Sequence, residues 1–155
     1  MRIDFVCTGN ICRSPMAEVI VRQKLEEAGL GGEVQVTSSG IGDWHVGRPA
    51  DTRALAELAA HGYDGSAHRA QQFGFEQESA DLIVALDTNH VSELVARGVP
   101  EHKVRLLRSF DPDPAAAEEG VKDPYYGGPE GFTLTREQIE AASAGIIAWV
   151  REQLD

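Results

Sequence analysis

Four short runs rich in β-branched and other apolar residues alternate with longer helical patterns along this chain, and few architectures accommodate that order. Ile3 to Val6 reads as a first strand. A helix from Ala17 to Ala28 follows, with Val19, Ile20 and Leu25 on its inward face and Gly29 as its stop. Val34 to Thr37 is a second strand. The loop from Gly40 to Pro49 leads into a helix that begins near Asp51, turns Leu55 and Leu58 to one side and ends at Gly62. His68 to Ser79 is polar and reads as a short helix or turns. Asp81 to Leu86 is a third strand, apolar enough to be central. A helix from Asn89 to Arg97 and a fourth strand from Val104 to Leu107 come next. Ser109 to Gly131 is a long loop rich in Asp, Pro, Gly and Tyr, and a helix from Thr133 to Gln153 closes the chain, with Ile139, Ile146, Trp149 and Val150 as core contacts. This order predicts one α/β domain over residues 1–155, a four-stranded parallel sheet with helices on both faces. Ligands of such sheets sit beyond the carboxyl ends of the strands, which points to the loops after strands one, two and four. A loop as long as the last is usually functional or disordered.

Charge and cysteine content narrow the function. The net charge of −11 argues against a nucleic-acid partner, which needs a basic footprint, and against docking on an anionic membrane. No apolar run approaches the roughly 20 residues of a membrane span. The opening Met-Arg-Ile-Asp-Phe-Val-Cys does not read as a signal peptide, so the cytoplasm is the expected compartment, with leaderless secretion left open. The two cysteines, Cys7 and Cys12, are too few for a disulfide scaffold and only half of a four-cysteine zinc site.

Both cysteines fall in Cys7-Thr8-Gly9-Asn10-Ile11-Cys12-Arg13-Ser14-Pro15, between the first strand and the first helix. A strand feeding a helix start aims backbone N–H groups at one point, and with the helix dipole they bind an anion. Gly9 permits a tight turn, Asn10 tolerates left-handed backbone, and Pro15 suits a first helical turn. Cys7 would sit at the bottom of this cradle, its thiolate stabilised by the same N–H groups. Arg13 would grip two phosphate oxygens with its planar fork, and Ser14 would offer its hydroxyl to the Cys7 sulfur. The combination suggests a thiolate attacking phosphorus. A pair of buried strand-end cysteines, or a C-x4-C metal half-site, would leave Asn10, Arg13, Ser14 and Pro15 without a common reason.

Cys-x5-Arg-Ser after an apolar strand resembles the phosphate loop of cysteine-based protein tyrosine phosphatases. Its N-terminal position, followed by Pro15-Met16-Ala17-Glu18, resembles the low-molecular-weight family, and the run Trp44-His45-Val46-Gly47 resembles its bacterial branch in particular. Asp43-Trp44-His45-Val46-Gly47, Leu86-Asp87-Thr88-Asn89, Leu107-Arg108-Ser109-Phe110-Asp111-Pro112 and Asp123-Pro124-Tyr125-Tyr126-Gly127 resemble further family segments in order. The resemblance implies a phosphatase acting on tyrosine-phosphorylated proteins through a phosphocysteine. Thr8, Gly9, Asn10, Ile11 and Cys12 would line the phosphate site with Ser14. Among Asp111, Asp113 and Asp123, the resemblance selects Asp123 as general acid, beside Tyr125 and Tyr126 as walls of a slot for an aromatic phosphate. Trp44 is expected as another wall and His45 as a rim residue. The family pairs the loop Asn with a Ser, here Ser38 or Ser39, and Ser39 aligns better. His68 and Asp87 match supporting positions. Cys12 is read either as a trap for oxidised Cys7 or as a passive buried thiol.

Departures are visible too: Gln71 stands where many members carry an Arg, and Gly131 to Thr135 replace a usually acidic stretch. No metal or organic cofactor is implied, because thiolate, guanidinium and carboxyl already supply nucleophile, charge stabilisation and proton. Phosphate and similar oxyanions are expected as product and inhibitors, and the protein as a monomer. An arsenate reductase on the same scaffold would need two further cysteines as a relay. A non-catalytic phosphotyrosine-binding module would not need Cys7, Arg13 and Asp123 together.

Overall fold

Strands form where the apolar runs were found, and they assemble into one parallel sheet in the order β2-β1-β3-β4. The computed structural model describes residues 1–155. The strands are β1 (Arg2–Cys7), β2 (Gln35–Gly40), β3 (Leu82–Ala85) and β4 (Val104–Leu106). The helices are α1 (Arg13–Glu27), α2 (Thr52–Ala60), the one-turn α3 (Phe75–Glu78), α4 (Thr88–Ala96) and α5 (Pro129–Leu154).

The side-chain period of two sorts the strands between two cores. Ile3, Phe5 and Cys7 of β1 join Leu82 and Val84 of β3 in a large cluster under α1 and α5. Val6 of β1 joins Ile83 and Ala85 in a smaller cluster that includes Leu94 of α4. Both faces of the sheet are therefore covered, as near-continuous apolar strands require. Trp149 and Leu55 are only partly buried, and Trp149 packs against the large cluster from outside. The chain leaves β1 to build β2 on one side and crosses to build β3 on the other. The carboxyl end of β1 is thus the switch point at which open α/β sheets hold ligands.

Element boundaries shift from the sequence expectation in ways that matter for the site. The first helix begins at Arg13, not Ala17. Pro15 lies in its first turn, where a missing N–H costs nothing, so Arg13 and Ser14 are helical residues. The second strand runs on through Ser38 and Ser39 to Gly40, because both hydroxyls find partners there. The long loop after β4 contains two single 3-10 turns, Leu107–Phe110 and Pro114–Ala116, and the Asp113 side chain accepts the N–H of Ala115. The closing helix starts four residues earlier than Thr133, at Pro129.

Candidate active site

Five residues, Thr8 to Cys12, carry the backbone from the end of β1 to the start of α1. Asn10 makes the turn at φ 59°, the one non-glycine residue with positive φ. Left-handed backbone costs an L-residue roughly 1–2 kcal/mol, and here a full set of hydrogen bonds offsets it. The Asn10 amide donates to Ser14 Oγ at 2.7 Å and to Ser38 Oγ at 2.9 Å. Its Oδ1 accepts the Gln71 N–H at 2.9 Å. Its carbonyl accepts from His68 Nε2 at 2.8 Å. Burial pushes the His68 imidazole below its ordinary pKa, so the ring is held neutral as an Nε2–H donor.

Ser38, not Ser39, is therefore the serine that holds Asn10. Neighbouring strand residues face opposite sides of a sheet. Ser38 faces α1, where its hydroxyl also donates to Glu18 at 2.5 Å. Ser39 faces the other way and donates to the Asp4 carboxylate at 2.6 Å. Gln71, which stands where many members of the family the sequence resembles carry an Arg, donates its side-chain amide to the Ser38 carbonyl at 2.9 Å. A neutral hydrogen bond stands in place of an ion pair. Gly40 lies so close to the loop that a Cβ would meet backbone atoms of Gly9 and Asn10 at 3.0 and 3.1 Å.

Cys7 and Arg13 are buried at this turn. The Cys7 sulfur lies 2.9 Å from Ser14 Oγ. The Arg13 guanidinium, whose side chain is 4% exposed, donates to Asp87 at 3.2 Å, to the Val121 carbonyl at 2.9 Å and to Thr8 Oγ1 at 3.3 Å. Asp123 Oδ2 lies 3.7 Å from it, and Asp123 Oδ1 accepts the Tyr125 N–H at 3.1 Å. Cys7, Thr8, Arg13 and Asp123 surround a cavity of about 70 Å3 to which Gly9, Ile11 and Cys12 also contribute, whereas Asn10 and Ser14 stand behind the loop and do not line it. Tyr125 and Tyr126 line its mouth, with ring centroids 5.0 Å apart in an edge-to-face arrangement.

The loop after β2 reaches the site only in part. The His45 ring lies against Gly9, where an added Cβ would meet its Cδ2 at 3.0 Å. Trp44 is not among the residues lining the cavity. Its ring folds over Gly42, where only the lack of a Cβ leaves room, and it stays 68% exposed.

Two contacts had no sequence signal. His90 of α4 is buried with Nε2 2.8 Å from Thr8 Oγ1. Burial, and then the Arg13 charge, push its pKa down to about 4, so it is a neutral prop for the loop. Arg53 donates to the Tyr125 carbonyl at 3.0 Å and lies 5.3 Å over the Tyr125 ring, while Asp51 holds its guanidinium at 2.9 Å. The Asp51 N–H in turn donates to the Ile11 carbonyl at 2.8 Å. Asp51 was legible as the start of a helix; its capping of α2 and its reach to both loops were not. Burial, then the Asp51 charge, push the Cys12 thiol up, which leaves it a poor nucleophile. Both cysteines are free. No cluster of three or more His, Cys, Asp or Glu side chains is placed to hold a metal ion. No helix is long and apolar enough to cross a membrane.

Residues 2–155 match the family model described as low molecular weight phosphotyrosine protein phosphatase. The low molecular weight protein-tyrosine phosphatase A of Mycobacterium tuberculosis is 51% identical over 154 residues, covering 99% of this chain and 94% of that one. The low molecular weight protein-tyrosine-phosphatase of Streptomyces coelicolor is 52% identical over 158 residues, covering 99% and 96%. Among solved structures, a protein tyrosine phosphatase from Entamoeba histolytica superposes with a TM-score of 0.91 at 30% identity, covering 100% of this chain and 99% of that one.

Proposed function

The chain belongs to the low molecular weight phosphotyrosine protein phosphatases, and from that footing we propose how its own residues divide the work. It is a cysteine-dependent protein tyrosine phosphatase. Its substrates are tyrosine-phosphorylated proteins, and Cys7 is the nucleophile. The observation that carries this assignment is the buried Cys7 sulfur at the carboxyl end of β1, 2.9 Å from a hydroxyl and lining one small cavity with Arg13 and Asp123.

The Cys7 thiolate attacks phosphorus in line with the tyrosyl oxygen. An S–P bond forms, the P–O bond breaks, and Asp123 donates its proton to the departing phenolate. The Arg13 fork and the loop N–H groups hold the phosphoryl oxygens as charge shifts among them. In this structure Asp123 lies 3.7 Å from the guanidinium that an incoming phosphate must occupy. Two negative groups at one guanidinium repel, so the arriving phosphate favours the protonated carboxyl that the first step needs. In the second step the Asp123 carboxylate takes a proton from water. The water oxygen attacks phosphorus, the S–P bond breaks, and the thiolate leaves toward the Ser14 hydroxyl. Tyrosine and inorganic phosphate are the products.

Asp87 and the Val121 carbonyl fix the back of the guanidinium, and His90 fixes Thr8. Tyr125 and Tyr126 flank the aromatic leaving group. Phosphate and related oxyanions compete for the same N–H groups. The enzyme works as a monomer in the cytoplasm. The test is hydrolysis of p-nitrophenyl phosphate and a phosphotyrosine peptide with a chelator present. Turnover should persist in the wild type and vanish in Cys7→Ser. Normal turnover by Cys7→Ser would overturn the assignment.

A further inference from the structure

A second cavity of about 360 Å3 adjoins the catalytic one, and Asp123 and Tyr126 line both. Pro124 and Leu134 complete its apolar wall. Gly127, Gly128 and Gly131 also line it, and their missing side chains keep it open. At Gly127 a Cβ would meet nothing nearer than the Pro124 carbonyl at 3.9 Å. Leu134, on the first turns of α5, is 46% exposed, and Tyr126 is 87% exposed. Lys122 at this cavity faces two carboxylates, Asp123 and Glu130, so its local field disfavours an acidic side chain.

We propose that this cavity is a specificity pocket for an apolar side chain within two residues of the phosphotyrosine. The proposal rests on the phosphatase reading above and adds the sequence context that the enzyme prefers. The two cavities share the Asp123 and Tyr126 side chains as a common wall. An extended peptide advances about 3.5 Å per residue, so a near neighbour of a phosphotyrosine lying along Tyr126 crosses that wall. The volume falls in the range of about 300–1,000 Å3 usual for ligand pockets, and exposed carbon beside a polar catalytic cleft marks a contact surface. The net charge of −11 disfavours acidic flanking residues at long range, and the apolar wall of Pro124, Tyr126 and Leu134 selects an apolar side chain over a basic one, whose charge it would desolvate.

The test compares wild type, Leu134→Glu and Leu134→Met on p-nitrophenyl phosphate and on phosphotyrosine peptides. The peptides carry Leu or Ser at each of the two positions on either side of the phosphotyrosine. A pocket for one apolar side chain discriminates by about tenfold or more. Wild type and Leu134→Met should prefer Leu over Ser by that factor in kcat/KM at one position, through KM. Leu134→Glu should lose the preference while hydrolysing p-nitrophenyl phosphate as wild type does. The absence of any Leu preference in wild type, or its persistence in Leu134→Glu, overturns the proposal. Failure of wild type to hydrolyse p-nitrophenyl phosphate would instead overturn the phosphatase reading.

Discussion

Ser14 Oγ lies 2.9 Å from the Cys7 sulfur and takes an N–H from the Asn10 amide at 2.7 Å. Because Asn10 donates into this oxygen, the Ser14 proton is free to point elsewhere. The sulfur is the near acceptor, and the Ser39 carbonyl at 3.4 Å is the distant one. The hydroxyl therefore stabilises a thiolate on Cys7, both before attack and as it departs from phosphorus.

Ser14→Ala should slow the second step more than the first. A hydrogen bond to a charged group is worth about 1.5–3 kcal/mol, or about 10- to 150-fold in rate. With p-nitrophenyl phosphate, stopped-flow traces should show a burst of nitrophenol close to one equivalent of enzyme, then slow turnover. Steady-state rates equal to wild type would remove this role from Ser14.

Asp123→Asn keeps the acceptor for the Tyr125 N–H and so keeps the loop, but it cannot supply a proton. General acid catalysis contributes typically about 10²–10⁴-fold. Phosphotyrosine hydrolysis should fall by that order, while p-nitrophenyl phosphate, whose leaving group needs little help, should lose much less. Equal losses on both substrates would mean that the acid lies elsewhere.

The sheet and the phosphate loop were legible because their signals are local. Apolar runs gave the four strands, and Cys7, Asn10, Arg13 and Pro15 lie within nine residues of one another. Contacts across the fold were not legible. Nothing near His90 in sequence points to Thr8, and Arg53 meets Tyr125 only because the start of α2 lies beside the late loop. The start of α1 was placed late, at Ala17, although Pro15 already suited a first helical turn, because the apolar periodicity that marks the helix sets in only beyond it. Trp44 was expected at the pocket from its loop alone, but the adjacent Gly42 offered its ring a nearer surface.

The choice between Ser38 and Ser39 turns on which face of β2 each occupies, and it is testable. Ser38→Ala removes the partner of an Asn10 amide and leaves a left-handed residue less well held. It should lower kcat about tenfold or more and destabilise by about 1–3 kcal/mol. Ser39→Ala removes a donor from Asp4 and should change stability with little effect on kcat. A reversed pattern in paired kinetics and urea unfolding would return the role to Ser39.

The two buried titratable groups behind the site pull stability in opposite directions with pH. Burial raises the Asp4 carboxyl from 3.8 to about 6, against hydrogen bonds from Ser39 and Thr37. The fold thus favours protonated Asp4, and this contribution is complete below pH 3.8 and lost as pH rises through about 6. At 1.36 kcal/mol per pH unit, about 3 kcal/mol is at stake. Asp4→Asn, which cannot ionise, should therefore gain most of that amount in stability relative to wild type between pH 4 and pH 7. Burial lowers His90 from 6.5 to about 4, so its contribution is present above pH 6.5 and lost as pH falls toward 4. His90→Gln should accordingly flatten the acid side of the stability curve. Urea unfolding at pH 4, 5, 6 and 7 separates the two effects. A wild-type curve parallel to that of Asp4→Asn across this range would show that Asp4 titrates as an ordinary surface carboxylate.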